Sequence, residues 1–178
     1  QVQVIMLDCR YYRDRKKKSM LGPVQKKWLF KTLNESEATF KIIASSVPFS
    51  AGIKPGSKDP WDGYPEEREE IFRFIEKEKV EGVVLLAADR HRIDLRKTKR
   101  PEGYDLFEFV SGRLTNRHVH SVIKTDGLIW GYNETCGYCL LHFDTKAKKP
   151  QVKLEAYDNK GKLLFAQKIS AQDLRFEN

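Results

Sequence analysis

Apolar residues in the first half of the chain fall into short unbroken runs, separated by stretches with a helical rhythm. "VQVIMLD" (residues 2–8) reads as a buried strand over Val4–Asp8, ending in Asp8, Cys9 and Arg10. In "GPVQKKWLFKTLNES" (22–36), Val24, Trp28, Leu29 and Leu33 share one helical face, and Pro23 suits a first helical turn. "TFKIIASSVPFS" supplies the next strand, Phe40–Val47, closed by Pro48. A long Gly/Pro loop then leads to Pro65 and the acidic Glu66, Glu67, Glu69 and Glu70, which mark a helix start. Ile71, Phe72, Phe74 and Ile75 form the expected buried stripe of that helix, and Gly82 separates it from a strand over Val83–Ala88. The order β-α-β-α-β, with unbroken apolar strands, predicts a sheet covered by helices on its faces.

Beyond Arg100 the rhythm changes. "YDLFEFVS", "GLIWGYNE", "YCLLHFDT", "QVKLEAYDN" and "KLLFAQKIS" read as short strands, with a hairpin turn at "DNKGK" (158–162). They predict an antiparallel sheet facing the first. The expected fold class is therefore α/β layers with a β-rich C-terminal portion, in one unit.

Composition narrows the picture. A chain of 178 residues suits a single core, and no apolar run reaches the roughly 20 residues of a membrane-spanning helix. No signal-peptide pattern stands at the start. The chain opens at Gln1 inside an apparent strand, so the expectation is a fragment, a processed chain or half of a larger unit. A net charge of +8 suits an anionic partner such as a phosphate ester, nucleic acid or a membrane surface. The basic runs Arg13–Lys18 and Arg96–Arg100 are expected to be solvated loops. Cys136 and Cys139 form a C-x-x-C without a second pair, which points to core cysteines.

The candidate chemistry sits in "VVLLAADRHRID" (83–94), where a strand runs straight into Asp89, Arg90, His91 and Arg92. Asp89 and His91 offer an oxygen and a nitrogen ligand at the carboxyl end of a strand, suited to zinc, manganese or iron. A salt-bridged surface turn is the competing reading. Arg10 either clamps phosphate oxygens bidentately or pairs with a neighbouring carboxylate. The two clusters could converge, because ligands collect beyond the carboxyl ends of strands in such sheets. His118 and His120 form an H-x-H that is open between a metal pair and a loop that happens to carry two imidazoles.

Five segments in order, "MLDCRYYRDRKK", "MLGPVQKKWLFKTLNESEATFKIIASSVPF", "WDGYPEEREEIFRFIEK", "GVVLLAADRHRIDL" and "YDLFEFVSGRLTN", resemble the PhoD-like alkaline phosphatases and phosphodiesterases of the calcineurin-like metallophosphoesterase superfamily. The resemblance implies two face-to-face β-sheets flanked by helices, with metal ions (calcium, iron, zinc or manganese) at the strand ends. It implies that Asp89 and His91 hold metal, that Arg10 binds the substrate phosphate, and that Trp61 and Tyr64 pack a loop onto the site wall. Ala87-Ala88 stand where the family usually has a small residue and glycine. The family's earlier metal motifs would precede Gln1, so residues 1–178 are expected to be the C-terminal part of one domain. An N-terminal segment or second chain would complete the site. Family members are often exported. The alternatives are a non-catalytic basic module, with nucleic acid as one partner, and a metal-free remnant of the fold.

Overall fold

The computed structural model describes residues 1–115 and 117–177. Among these, β1 (Val2–Leu7), β2 (Phe40–Ser45), β3 (Val83–Ala87), β4 (Ile93–Thr98), β5 (Leu106–Val110) and β6 (Leu128–Tyr132) form one sheet in the order β1-β2-β3-β5-β4-β6. β1, β2, β3 and β5 run parallel, whereas β4 is antiparallel to both β5 and β6. The segments that leave the four parallel strands therefore gather at one edge of the sheet, where such folds bind ligands.

Two helices follow the first two strands, α1 (Gly22–Asn34) and α2 (Pro65–Lys77), each with proline in its first turn. α1 turns a different face inward from the one its apolar spacing predicts. Gln25, Leu29 and Leu33 are buried, while Val24 is 73% and Trp28 45% exposed. The inward glutamine is satisfied: Gln25 Oε1 accepts from Asp8 N at 2.8 Å, and its Nε2 donates to Asp8 O at 2.9 Å. A buried amide that meets both backbone groups of the residue after β1 fixes the start of the functional loop. On α2, Ile71, Phe72 and Ile75 are buried as expected, and Phe74 stacks on Phe30 of α1 at 4.2 Å. The buried Glu67 accepts from Met20 N, Leu21 N and Ser19 Oγ, tying the entry of α1 to α2.

The second sheet consists of antiparallel β7 (Gly137–Asp144), β8 (Gln151–Asp158) and β9 (Leu163–Ser170). The predicted turn joins β8 to β9, with Asp158 N bonded to Lys162 O at 3.1 Å. Val152, Leu154 and Ile169 enter the same core as the larger sheet, and Phe143 meets Phe40 of β2 at 5.5 Å. The β-rich tail is thus divided: β5 and β6 join the first sheet and only β7–β9 form the second.

β4 replaces part of an expected solvated loop. Arg96, in the basic run 96–100, is 1% exposed, and Arg92 just ahead of the strand is equally buried. Both guanidiniums bond the fully buried Asp94: Arg92 Nε lies 2.8 Å and Arg96 Nε 3.1 Å from Oδ2. Arg100 is likewise engaged, with Glu69 and Glu76. Charge alone misreads this run because its two arginines are paired with carboxylates.

Parallel partners point to the same face, so Val2, Val4 and Met6 share the face of Phe40 and Ile42. The second sheet covers that face over β2 but leaves the β1 residues 37%, 59% and 75% exposed. β1 is also the outermost strand of its sheet. No helix among the described residues is long and apolar enough to cross a membrane.

Candidate active site

Three loops converge at the carboxyl edge. After β1, Asp8 caps the turn by accepting from Arg10 N and Tyr11 N, both at 2.8 Å, and these two bonds lower its pKa. The turn places the Arg10 guanidinium on Asp59 of the long loop between β2 and α2. Arg10 Nη1 lies 2.6 Å from Asp59 Oδ1 and Nη2 lies 3.4 Å from Oδ2. Arg13 reaches the same carboxylate, with Nη1 2.7 Å from Oδ1, while its Nε donates to Cys9 O. The bond from Arg10, together with Arg13, holds the Asp59 carboxyl well below the usual carboxylate range. That loop is seated by Trp61, which is fully buried, stacks on Phe49 at 4.8 Å and donates Nε1–H to Ser45 Oγ at 3.1 Å.

The third loop follows β3. Asp89 and His91 both lie in the left-handed region, at φ 71° and 46°, where residues other than glycine are uncommon. Asp89 Oδ1 sits 3.8 Å from Arg10 Nη2, and Oδ2 sits 3.4 Å from Lys54 Nζ. Lys54 also approaches Asp59 Oδ2 at 3.6 Å. The predicted Arg10 and Asp89 are therefore brought together, in a ring with Asp59, Lys54 and Arg13. Three cations face two carboxylates there, leaving a positive excess that suits an anionic substrate.

His91 turns to other partners. Its Nδ1 lies 3.1 Å from the backbone oxygen of His118, and its ring stacks on His120 with centroids 4.8 Å apart and planes 4° apart. His118 Nε2 and His120 Nε2 are 2.9 Å apart. Among the described residues, these imidazoles form one group of three potential metal ligands, with ligand atoms all within 4.8 Å of one another. Burial, then the nearby Arg90, lowers the pKa of His120 and favours its neutral, ligand-competent form. Asp89 stands outside this group. Of the candidate donors, the imidazoles fit a metal ion by geometry, while the Asp89 carboxylate meets cationic side chains.

Asp59, Lys54 and the two further histidines were not singled out as site residues from the sequence. The H-x-H was noticed, but nothing local links it to Asp89-x-His91. The link is topological: β5 lies beside β3, so the segment after β5 arrives at the loop after β3. Cys136 and Cys139 are half-buried and form no disulfide; Cys139 packs against the core, and burial pushes its thiol up to about 11.

The α/β sheet thus gathers a guanidinium, carboxylates and imidazoles at the ends of its parallel strands. The sequence matches the PhoD-like phosphatase family over residues 1–168, and the chain belongs to that family. It is 30% identical over 172 residues to alkaline phosphatase D of Bacillus subtilis (strain 168), a match that takes in 75% of this chain and 29% of that protein. The chain thus spans under a third of this relative. Among solved structures, PhoD superposes with a TM-score of 0.57 at 20% identity, over 95% of this chain and 42% of that one. GAP50, the anchor in the inner membrane complex of Plasmodium, superposes with a TM-score of 0.62 at 13% identity, over 99% and 49%. These two likenesses concern the fold.

Proposed function

We propose that the chain forms part of a metal-dependent hydrolase of phosphate mono- or diesters, within a metallophosphoesterase-type pair of sheets flanked by helices. In this reading residues 1–178 are the C-terminal part of one domain, and an N-terminal segment brings further metal ligands. Family membership supports the phosphatase chemistry. The observation that carries the site is the Arg10–Asp59 pair beside Asp89, at the ends of β1 and β3.

Arg10 binds the phosphoryl oxygens. Its side chain is half exposed, yet Asp59 already holds it in a bidentate pair, so little side-chain freedom is lost when an anion arrives. Asp89 and His91 hold metal, with Lys54 and Arg10 balancing the Asp89 carboxylate when no ion is near. Bound metal ions supply a water of lowered pKa and neutralise phosphoryl charge.

The test uses the full-length protein with p-nitrophenyl phosphate and bis(p-nitrophenyl) phosphate. Arg10→Ala, Asp89→Asn and His91→Ala are each expected to lower kcat/KM by roughly 100-fold, the scale of losing one transition-state stabilising group. A chelator should abolish turnover. Full activity in Asp89→Asn or His91→Ala refutes the assignment.

The rival reading is a basic module that binds nucleic acid. It is weakened by the engagement of Arg13 with Asp59, Arg96 with Asp94, and Arg100 with Glu69 and Glu76. Binding that falls steeply with salt but survives both chelator and Asp89→Ala would restore it.

A further inference from the structure

We infer that His91, His118 and His120 form a three-nitrogen site for one borderline transition-metal ion, with zinc as the test case, apart from the ring around Asp89. The inference rests on the proposed function only in sharing His91 with it, and it is tested through binding rather than turnover.

The geometry supplies the first reason. A tetrahedral zinc ion with bonds of about 2.0–2.1 Å needs nitrogen donors roughly 3.3 Å apart. His118 Nε2 and His120 Nε2 are 2.9 Å apart, and the three ligand atoms lie within 4.8 Å of one another. The rings of His91 and His120 lie parallel, 4.8 Å apart, so turning one of them out of the stack would point the three donors at one ion. Two imidazole nitrogens at 2.9 Å repel through their lone pairs unless a proton or a cation lies between them.

The second reason is the hydrogen bonding behind the ligands. A backbone oxygen can only accept, so the 3.1 Å contact with His118 O requires His91 to carry its proton on Nδ1. The lone pair of His91 is then on Nε2. Fixing a tautomer through the nitrogen that does not bind metal is the usual outer-shell arrangement of a histidine ligand. The backbone of the His-x-His segment is held as well: Asn133 Nδ2 donates to His120 O at 3.2 Å. Farther along the loop, Arg96 grips Ile123 O and Thr125 Oγ1, both at 2.7 Å.

Donor chemistry then selects the ion. Three imidazoles without a carboxylate suit zinc, cobalt, nickel or copper and disfavour calcium and magnesium, which require oxygen. Three protein ligands leave a fourth position open, the pattern of reactive rather than purely structural zinc sites. The bound ion would lie at the same sheet edge as Arg10 and Asp89, on nitrogen donors of which only His91 is shared with the proposed phosphatase site.

The experiment strips the full-length protein with chelator and titrates it with Zn²⁺ against a chromophoric competitor. A parallel titration with Co²⁺ follows the visible absorption of a tetrahedral site. His118→Ala and His120→Ala are each expected to weaken zinc binding at least about tenfold. The double variant should lose one equivalent of zinc and the cobalt band, while Arg10→Ala retains both. His118→Gln and His120→Gln keep size and polarity, and melting without metal identifies any variant that fails to fold. Zinc uptake by the double variant equal in stoichiometry and affinity to the wild type overturns the site, as does a wild type without this equivalent. Zinc bound at the trio in a protein that hydrolyses no ester would sink the hydrolase reading and leave this one standing. Metal-dependent hydrolysis with unchanged zinc binding in the double variant would do the reverse.

Discussion

Asp59 is the residue on which the grip of Arg10 depends, because it meets both terminal nitrogens of that guanidinium and one of Arg13. Asp59→Asn is expected to raise KM for a phosphate ester roughly tenfold, the weight of one charge-assisted hydrogen bond, about 1.5 kcal/mol. kcat should change far less, and Asp59→Glu should recover part of the loss, which steady-state kinetics on the three proteins will show. The sign of the pH effect follows from the lowered pKa of Asp59 in the fold. Its ionic contribution to stability is complete above the unfolded carboxyl value of about 3.9 and fades as pH falls further toward the folded value. Denaturant midpoints measured from neutral pH into acid should therefore fall less steeply below about pH 4 in Asp59→Asn than in the wild type. Arg10, Asp89 and His91 were legible as candidates because each stands at the abrupt end of an apolar run. Asp59 and Lys54 were not, since both lie in a long loop with no periodicity to mark their direction.

At the scale of elements, the long loop that carries Asp59 is anchored from beneath by a single side chain of β5. The fully buried Glu108 accepts from Phe49 N at 2.6 Å and from Ser50 N at 2.8 Å. Glu108→Gln offers one acceptor where two are needed and should cost about 1–3 kcal/mol, a fall in Tm of roughly 2–10 °C. Burial raises the pKa of this carboxyl, so the fold favours its neutral form. The wild type's advantage over Glu108→Gln should consequently narrow as pH climbs above about 4.3, measured as the difference in Tm between the two proteins. Strands β1 to β3 and both helices were readable from apolar runs, prolines and acidic first turns. β4 was not, because its buried residues include Asp94 and Arg96, which read as surface until the ion pairs are seen. The inward face of α1 was misjudged for a related reason, since a hydrogen-bonded glutamine took the place expected for Val24 and Trp28.

For the molecule as a whole, the division of the nine strands among the described residues between two sheets was beyond a reading of local patterns. Nothing in "YDLFEFVS" or "GLIWGYNE" distinguishes a strand that extends the parallel sheet from one that faces it; pairing partners distant in sequence decide. Among the described residues, the same topology leaves β1 with one side unpaired and Val2, Val4 and Met6 exposed. For these 178 residues prepared alone, pairing of two copies along that strip would couple folding to self-recognition. Such pairing would stabilise the folded state by mass action, so the melting temperature should climb with protein concentration. Val4→Lys, in the middle of the strip, should render the transition independent of concentration, because like charges would meet wherever two copies try to align.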